Sequence, residues 1–136
     1  MSGVPPRRGF PKRIVSLLHE SPILRVRAGS APHRFISIWC VVVAGRVFVR
    51  PWNDKPAGWH RTFLRERIGA IQIDGREIPV RARAARGERL FDAIDAAYAA
   101  KYPTKGSLKW VRGFAEPGRR KTTTELVPRA ARKAPG

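Results

Sequence analysis

Apolar and basic residues alternate along much of this chain. From Ile23 to Ala28, Leu24, Val26 and Ala28 fall on one side and Arg25 and Arg27 on the other, the two-residue period of a half-buried strand. Arg34–Val43 is apolar on both sides, with Ile36, Ile38, Cys40 and Val42 opposed to Phe35, Trp39, Val41 and Val43. That pattern predicts a strand covered on both faces. Ala44-Gly45 turns the chain into Arg46–Pro51, where Val47 and Val49 oppose Arg46, Phe48 and Arg50, so the two segments read as a hairpin. Gly69–Asp74 is a further short strand. Asp74-Gly75 is a strong hairpin signal, because both central residues of such a turn take positive φ. Arg76–Ala85 returns with Val80, Ala82 and Ala84 inward and Arg81 and Arg83 outward, and Lys121–Val127 closes as a last strand.

A helical period replaces the alternation in a few places. Glu88–Tyr102 carries an apolar stripe of Leu90, Phe91, Ile94, Ala97 and Tyr98, with Glu88 and Asp92 in its first turn, Lys101 in its last and Pro103 as its stop. Ile14–His19 predicts a helical turn that Ser21-Pro22 ends, since the residue before proline is driven out of helical conformation. Trp59–Glu66 has helical spacing, and Ser107–Phe114 reads either as loop or as a second short helix carrying Trp110. About six strands paired in sequence, with one long helix after the fifth, predict a mainly β fold with α, a small closed or partly closed antiparallel barrel.

At 136 residues the chain holds one domain. Charge changes the picture: 28 Lys+Arg against 10 Asp+Glu give a net charge of +18, which favours polyanions such as phosphate-bearing cofactors, nucleic acid or anionic lipid. More than half of the excess lies in residues 1–34 and 117–136. The expected organisation is a basic N-terminal tail with a short helix over 1–22, the barrel over 23–128, and a basic C-terminal tail over 129–136. Either tail can be solvated charge or a non-specific polyanion binder. The single cysteine, Cys40, excludes an internal disulfide. The longest apolar run, from Ile38 to Gly45, is far short of the roughly 20 residues of a membrane span, and Met1–Pro11 lacks a signal-peptide pattern, so a cytoplasmic location is expected.

Side-chain catalysis finds little support. His19, His33 and His60 are scattered, metal-ligand spacings and glycine-rich phosphate loops are absent, and Asp92 and Asp95 read as a solvated helix face. What stands out is a set of aromatic and cationic residues after the hairpin: Arg46, Arg50, Trp52, Trp59, His60 and Arg61. Such a set suits a flat, phosphate-bearing ligand or single-stranded nucleic acid, and equally suits tryptophans that pack a loop onto the barrel.

The order of parts resembles a known family. Arg34–Val43, then Gly45-Arg-Val-Phe-Val-Arg, then Trp59-His-Arg-Thr-Phe-Leu, then Ile71-Gln-Ile-Asp-Gly-Arg-Glu-Ile-Pro-Val-Arg-Ala-Arg, then the Arg89–Pro103 helix and the Thr122–Pro128 strand resemble the deazaflavin-dependent nitroreductase family. They resemble more closely an uncharacterised bacterial domain family collinear with it. Both are FMN-binding split β-barrels, related in fold to pyridoxamine phosphate oxidase. The resemblance covers residues 23–128. It implies a flavin-type cofactor, FMN or deazaflavin, that passes hydride to a small-molecule acceptor, and a homodimer. By the same resemblance Ser30, His33 and Arg34 lie near the cofactor phosphate with Arg50, Trp52 and Trp59 wall the ring, and His60 and Arg61 contact cofactor or substrate. The chain departs from the nitroreductase pattern in its phosphate loop. A Gly-Arg-Lys-Ser-Gly stretch is replaced by Gly29-Ser-Ala-Pro-His-Arg34, and the asparagine of the tryptophan motif by Arg61 or Thr62. Two other readings are a basic nucleic-acid-binding β-barrel and a cofactor-less interaction module of the same fold.

Overall fold

The computed structural model describes residues 9–32, 34–52 and 58–129. The expected tails lie outside these residues over 1–8 and 130–136. Seven strands form a single antiparallel sheet, β1 (Leu24–Ala28), β2 (Ile36–Ile38), β3 (Val41–Val43), β4 (Arg46–Val49), β5 (Ile68–Ile73), β6 (Arg76–Ala84) and β7 (Thr124–Pro128). Their order is β2-β1-β5-β6-β7-β4-β3. The helices are α1 (Lys12–Glu20), α2 (Trp59–Glu66), α3 (Glu88–Lys101), α4 (Leu108–Phe114) and α5 (Pro117–Arg120). The fold is mainly β with α, a curled split barrel with one long helix.

The two edge strands, β2 and β3, are consecutive in the chain. The segment expected as one strand over 34–43 is broken at Trp39-Cys40, so its halves pair at opposite edges, β2 with β1 and β3 with β4. The cause lies in α3 and the residue after it. Trp39 stacks on Tyr102 with ring centroids 3.8 Å apart and planes 4° from parallel. The Cys40 carbonyl accepts from Lys101 Nζ at 2.8 Å and from Tyr102 Oη at 3.4 Å. Backbone bonding that a strand would direct to a neighbour goes here to side chains.

One core fills the barrel. Leu24, Val26, Val47, Val49, Ile71, Val80 and Leu126 face inward, and α1 closes one opening with Ile14 and Leu18, four residues apart on one face. Phe10 joins them, so the segment expected as an N-terminal tail is packed from this residue on. A second core lies outside the sheet, where Ile94, Tyr98, Val111 and Phe114 of α3 and α4 cover Val41 and Phe48. The expected Asp74-Gly75 turn forms with φ of 54° and 68°. Ser107–Phe114 resolves as a 3-10 turn over Lys105–Ser107 leading into α4. Ala84, expected inward, is exposed, and Ala85 is buried in the second core instead.

The outer layer is clamped by an ion pair whose arginine is buried. Arg50, whose side chain is 0% exposed, donates to Asp95 on α3, to Thr123 Oγ1 at 2.8 Å and to the Phe114 carbonyl at 2.8 Å. Arg120 contacts Glu88, Asp92 and Asp95 together. The acids expected on a solvated face therefore bind α3 to α5. Among the described residues, no helix is long and apolar enough to cross a membrane.

Candidate functional site: a cavity lined by every tryptophan

A cavity of about 520 Å³ opens where β2, the end of β4, the start of α2 and the inner side of α4 converge. Its wall contains Trp39, Trp52, Trp59 and Trp110, all four tryptophans of the chain. Ile36, Ser37, Ile38, Arg50, Gly58, His60 and Phe114 complete it.

Trp59 and Trp110 sit on α2 and α4, while Trp39 lies between β2 and β3 and Trp52 follows β4. Trp39 is fixed by the stack on Tyr102 and lies 6.0 Å from the Phe114 ring. Trp52 sits edge-on to Trp110 at 4.2 Å and to Phe114 at 5.5 Å. The Arg119 guanidinium lies 4.0 Å above the Trp52 ring and donates to the Trp52 carbonyl. Gly113 lets that ring approach α4, because a Cβ there would meet two of its carbons at 2.5 Å. Trp59 opens α2 and packs edge-on against Phe63, which belongs to the barrel core. Four indoles bordering one space give a planar group aromatic surface to pack against.

The polar part of the wall is small. Arg50 lines the cavity, but its donors serve Asp95, Thr123 and Phe114, so its charge is neutralised within the protein. Behind it Tyr98 is wholly buried, and loss of solvent pushes its hydroxyl well above the ordinary phenol range despite the opposing Arg50 charge. His60 is 8% exposed.

Of the residues expected in the site, the structure brings together Arg50, Trp52, Trp59 and His60. Ser30 is elsewhere: its amide and hydroxyl both donate to Glu66 at the end of α2, at 3.1 and 2.9 Å. Donors expected to hold a phosphate thus hold a carboxylate, whose charge repels a phosphate. Arg34 and Arg61 are exposed and outside the cavity wall, and His33 lies outside the described residues. The cavity wall also holds Trp39, Trp110, Phe114 and Ser37, which the sequence pattern does not single out. For Trp39 and Trp110 the signal was the small number of tryptophans, and for Phe114 and Ser37 there was none.

The profile of a family described as an uncharacterized protein conserved in bacteria (DUF2255) matches residues 16–126. The chain is similar in fold to the crystal structure of the conserved hypothetical protein Rv2991 from Mycobacterium tuberculosis. The TM-score is 0.54 at 11% identity, over 96% of this chain and 87% of that one. No curated protein matches the chain.

Proposed function

The chain belongs to the DUF2255 family, and we propose that its cavity binds the planar ring of a flavin-type cofactor, FMN or a deazaflavin, in the service of an oxidoreductase. The observation that carries this reading is the convergence of all four tryptophans on one space. A volume of about 520 Å³ falls within the range of small-molecule sites. Indoles that only packed a loop would fill the space between them, and these do not.

The residues fit the ring part of such a group. Trp52 and Trp110 offer one aromatic corner and Trp39 and Trp59 further walls, while Ser37 and His60 supply polar groups among apolar ones. A bound flavin-type ring supplies hydride acceptance or donation, for which the protein need provide no acid–base pair. The chain's own part is to stack the ring, orient it and exclude water with the indoles. Arg50 keeps the floor rigid rather than touching a charge on the ligand. Single-stranded nucleic acid is less well suited to this cavity, because four indoles around one space make room for one ring rather than for successive bases. An isologous dimer belongs to the same proposal. Among the described residues β2 has no second strand neighbour, and its first residue, Ile36, is 42% exposed; sedimentation equilibrium tests it.

Riboflavin fluorescence titrated with the protein tests the ring site. Saturable quenching is expected, and Trp59→Leu and Trp110→Leu should each weaken it about two- to twelvefold, the value of one aromatic stack. Affinity unchanged in both variants would remove the cavity from consideration.

A further inference from the structure

We propose that the open groove beside the cavity, between the Lys105–Ser107 turn, α4 and α5, seats the phosphate-bearing tail of the cofactor whose ring the cavity holds. This rests on the ring site described above and assigns the other end of the same ligand. The groove encloses about 630 Å³ and shares Trp52 and Trp110 with the cavity, so the T-shaped indole pair is the wall between two adjoining spaces.

The two spaces differ in chemistry. The cavity is apolar, whereas the groove is lined by Lys105, Lys109, Arg112 and Arg119 against a single acid, Glu116. Glu116 is engaged by Arg119 at 2.9 Å. Lys105, Lys109 and Arg112 remain, all exposed and with no carboxylate partner among the described residues. Lys109 and Arg112 are three apart on one helix, where like charges repel and lower helix stability. An anion bridging them reverses the sign of that term. The cations reach the junction itself: Lys109 Nζ lies 5.0 Å from the Trp110 ring centroid and the Arg119 guanidinium 4.0 Å from that of Trp52. A ligand stacked on the cavity side of this pair therefore meets positive charge on leaving it. At the loop after β1 the Ser30 donors already serve Glu66.

The test compares FMN with riboflavin, which share the ring and differ by the phosphate. Intrinsic fluorescence of the full chain is titrated with each at low and high salt. FMN should bind at least about tenfold more tightly at low salt, the effect of one charge-assisted contact, and the preference should shrink at high salt. The triple variant Lys105→Gln, Lys109→Gln, Arg112→Gln should lose the preference and keep its riboflavin affinity. A charge-matched control, Arg25→Gln, Arg76→Gln, Arg81→Gln, should keep both. Equal affinity for the two ligands overturns the groove and leaves the ring site standing. So does a preference that survives the groove variant or disappears equally in the control. Saturable binding of neither ligand overturns both proposals.

Discussion

Gly113 shows how one residue governs the shape of the site. It lies inside α4, where glycine costs about 1 kcal/mol relative to alanine, yet a methyl group there would collide with the Trp52 ring. Gly113→Ala should therefore destabilise the protein despite better helix propensity, by about 1–3 kcal/mol for an overpacked site, and should weaken ring binding. Urea unfolding and a riboflavin titration check both effects, and unchanged values would contradict the packing described for Trp52. Arg50 makes a second case. Asp95→Ala leaves its guanidinium buried with Thr123 and a carbonyl as partners but no carboxylate beside it, at an expected cost of about 3–5 kcal/mol. The double variant Arg50→Met, Asp95→Leu should recover much of that loss in urea unfolding. Sequence showed that both Arg50 and Asp95 exist but gave no sign of the pairing, because they lie 45 positions apart.

Cys40 is a third residue whose environment predicts a measurable trend. Burial pushes its thiol above its usual value near 9, and the neighbouring Lys101 ammonium opposes this more weakly. The unfolded chain ionises first, so this contribution to stability is full below pH 9 and is lost as pH rises above it. Burial pushes Tyr98 and Tyr102 up from 10 as well, which extends the loss to higher pH. Urea midpoints should fall steadily above pH 9, and Cys40→Ala should flatten the first part of that fall. A flat wild-type profile would contradict the burial of these groups.

Among the elements, those set by local rules were the legible ones. The Asp74-Gly75 turn, the α2 span and the α3 start at Glu88 follow from turn chemistry, periodicity and composition within a few residues. The break at Trp39-Cys40 follows from nothing nearby. Its causes are Lys101 and Tyr102, about 60 residues further on, and a run apolar on both faces is compatible with one strand or two. The same limit applies to Ser30 in the loop after β1, which the resemblance sets near a phosphate and whose donors Glu66 takes from α2. α1 was visible as a short helix, but its role as a plug depends on Leu18 being 0% exposed inside the barrel. Leu18→Ala should cost about 2–5 kcal/mol in urea unfolding, as expected for a core residue. A loss under 0.5 kcal/mol, typical of surface substitutions, would mean that α1 does not seal the barrel.

Over the whole molecule, an excess of +18 is distributed by where the few acids are used. Asp74, Glu77, Glu125, Asp95 and Glu116 each hold an arginine, and Arg120 gathers Glu88 and Asp92. The groove beside α4 keeps Lys105, Lys109 and Arg112, which no acid among the described residues holds, next to the cavity where the tryptophans meet. Composition announced the charge, but only the folded chain joins Trp39 and Trp110 to the expected Trp52 and Trp59. The most direct test of that meeting is the two-dimensional proton–nitrogen spectrum of the uniformly labelled protein, in which the four tryptophans give four indole N–H signals. Riboflavin added stepwise should move all four along one saturation curve, because all four line a single site. Indole signals that stay in place while riboflavin binds, or that move without saturating, would contradict the cavity as the site.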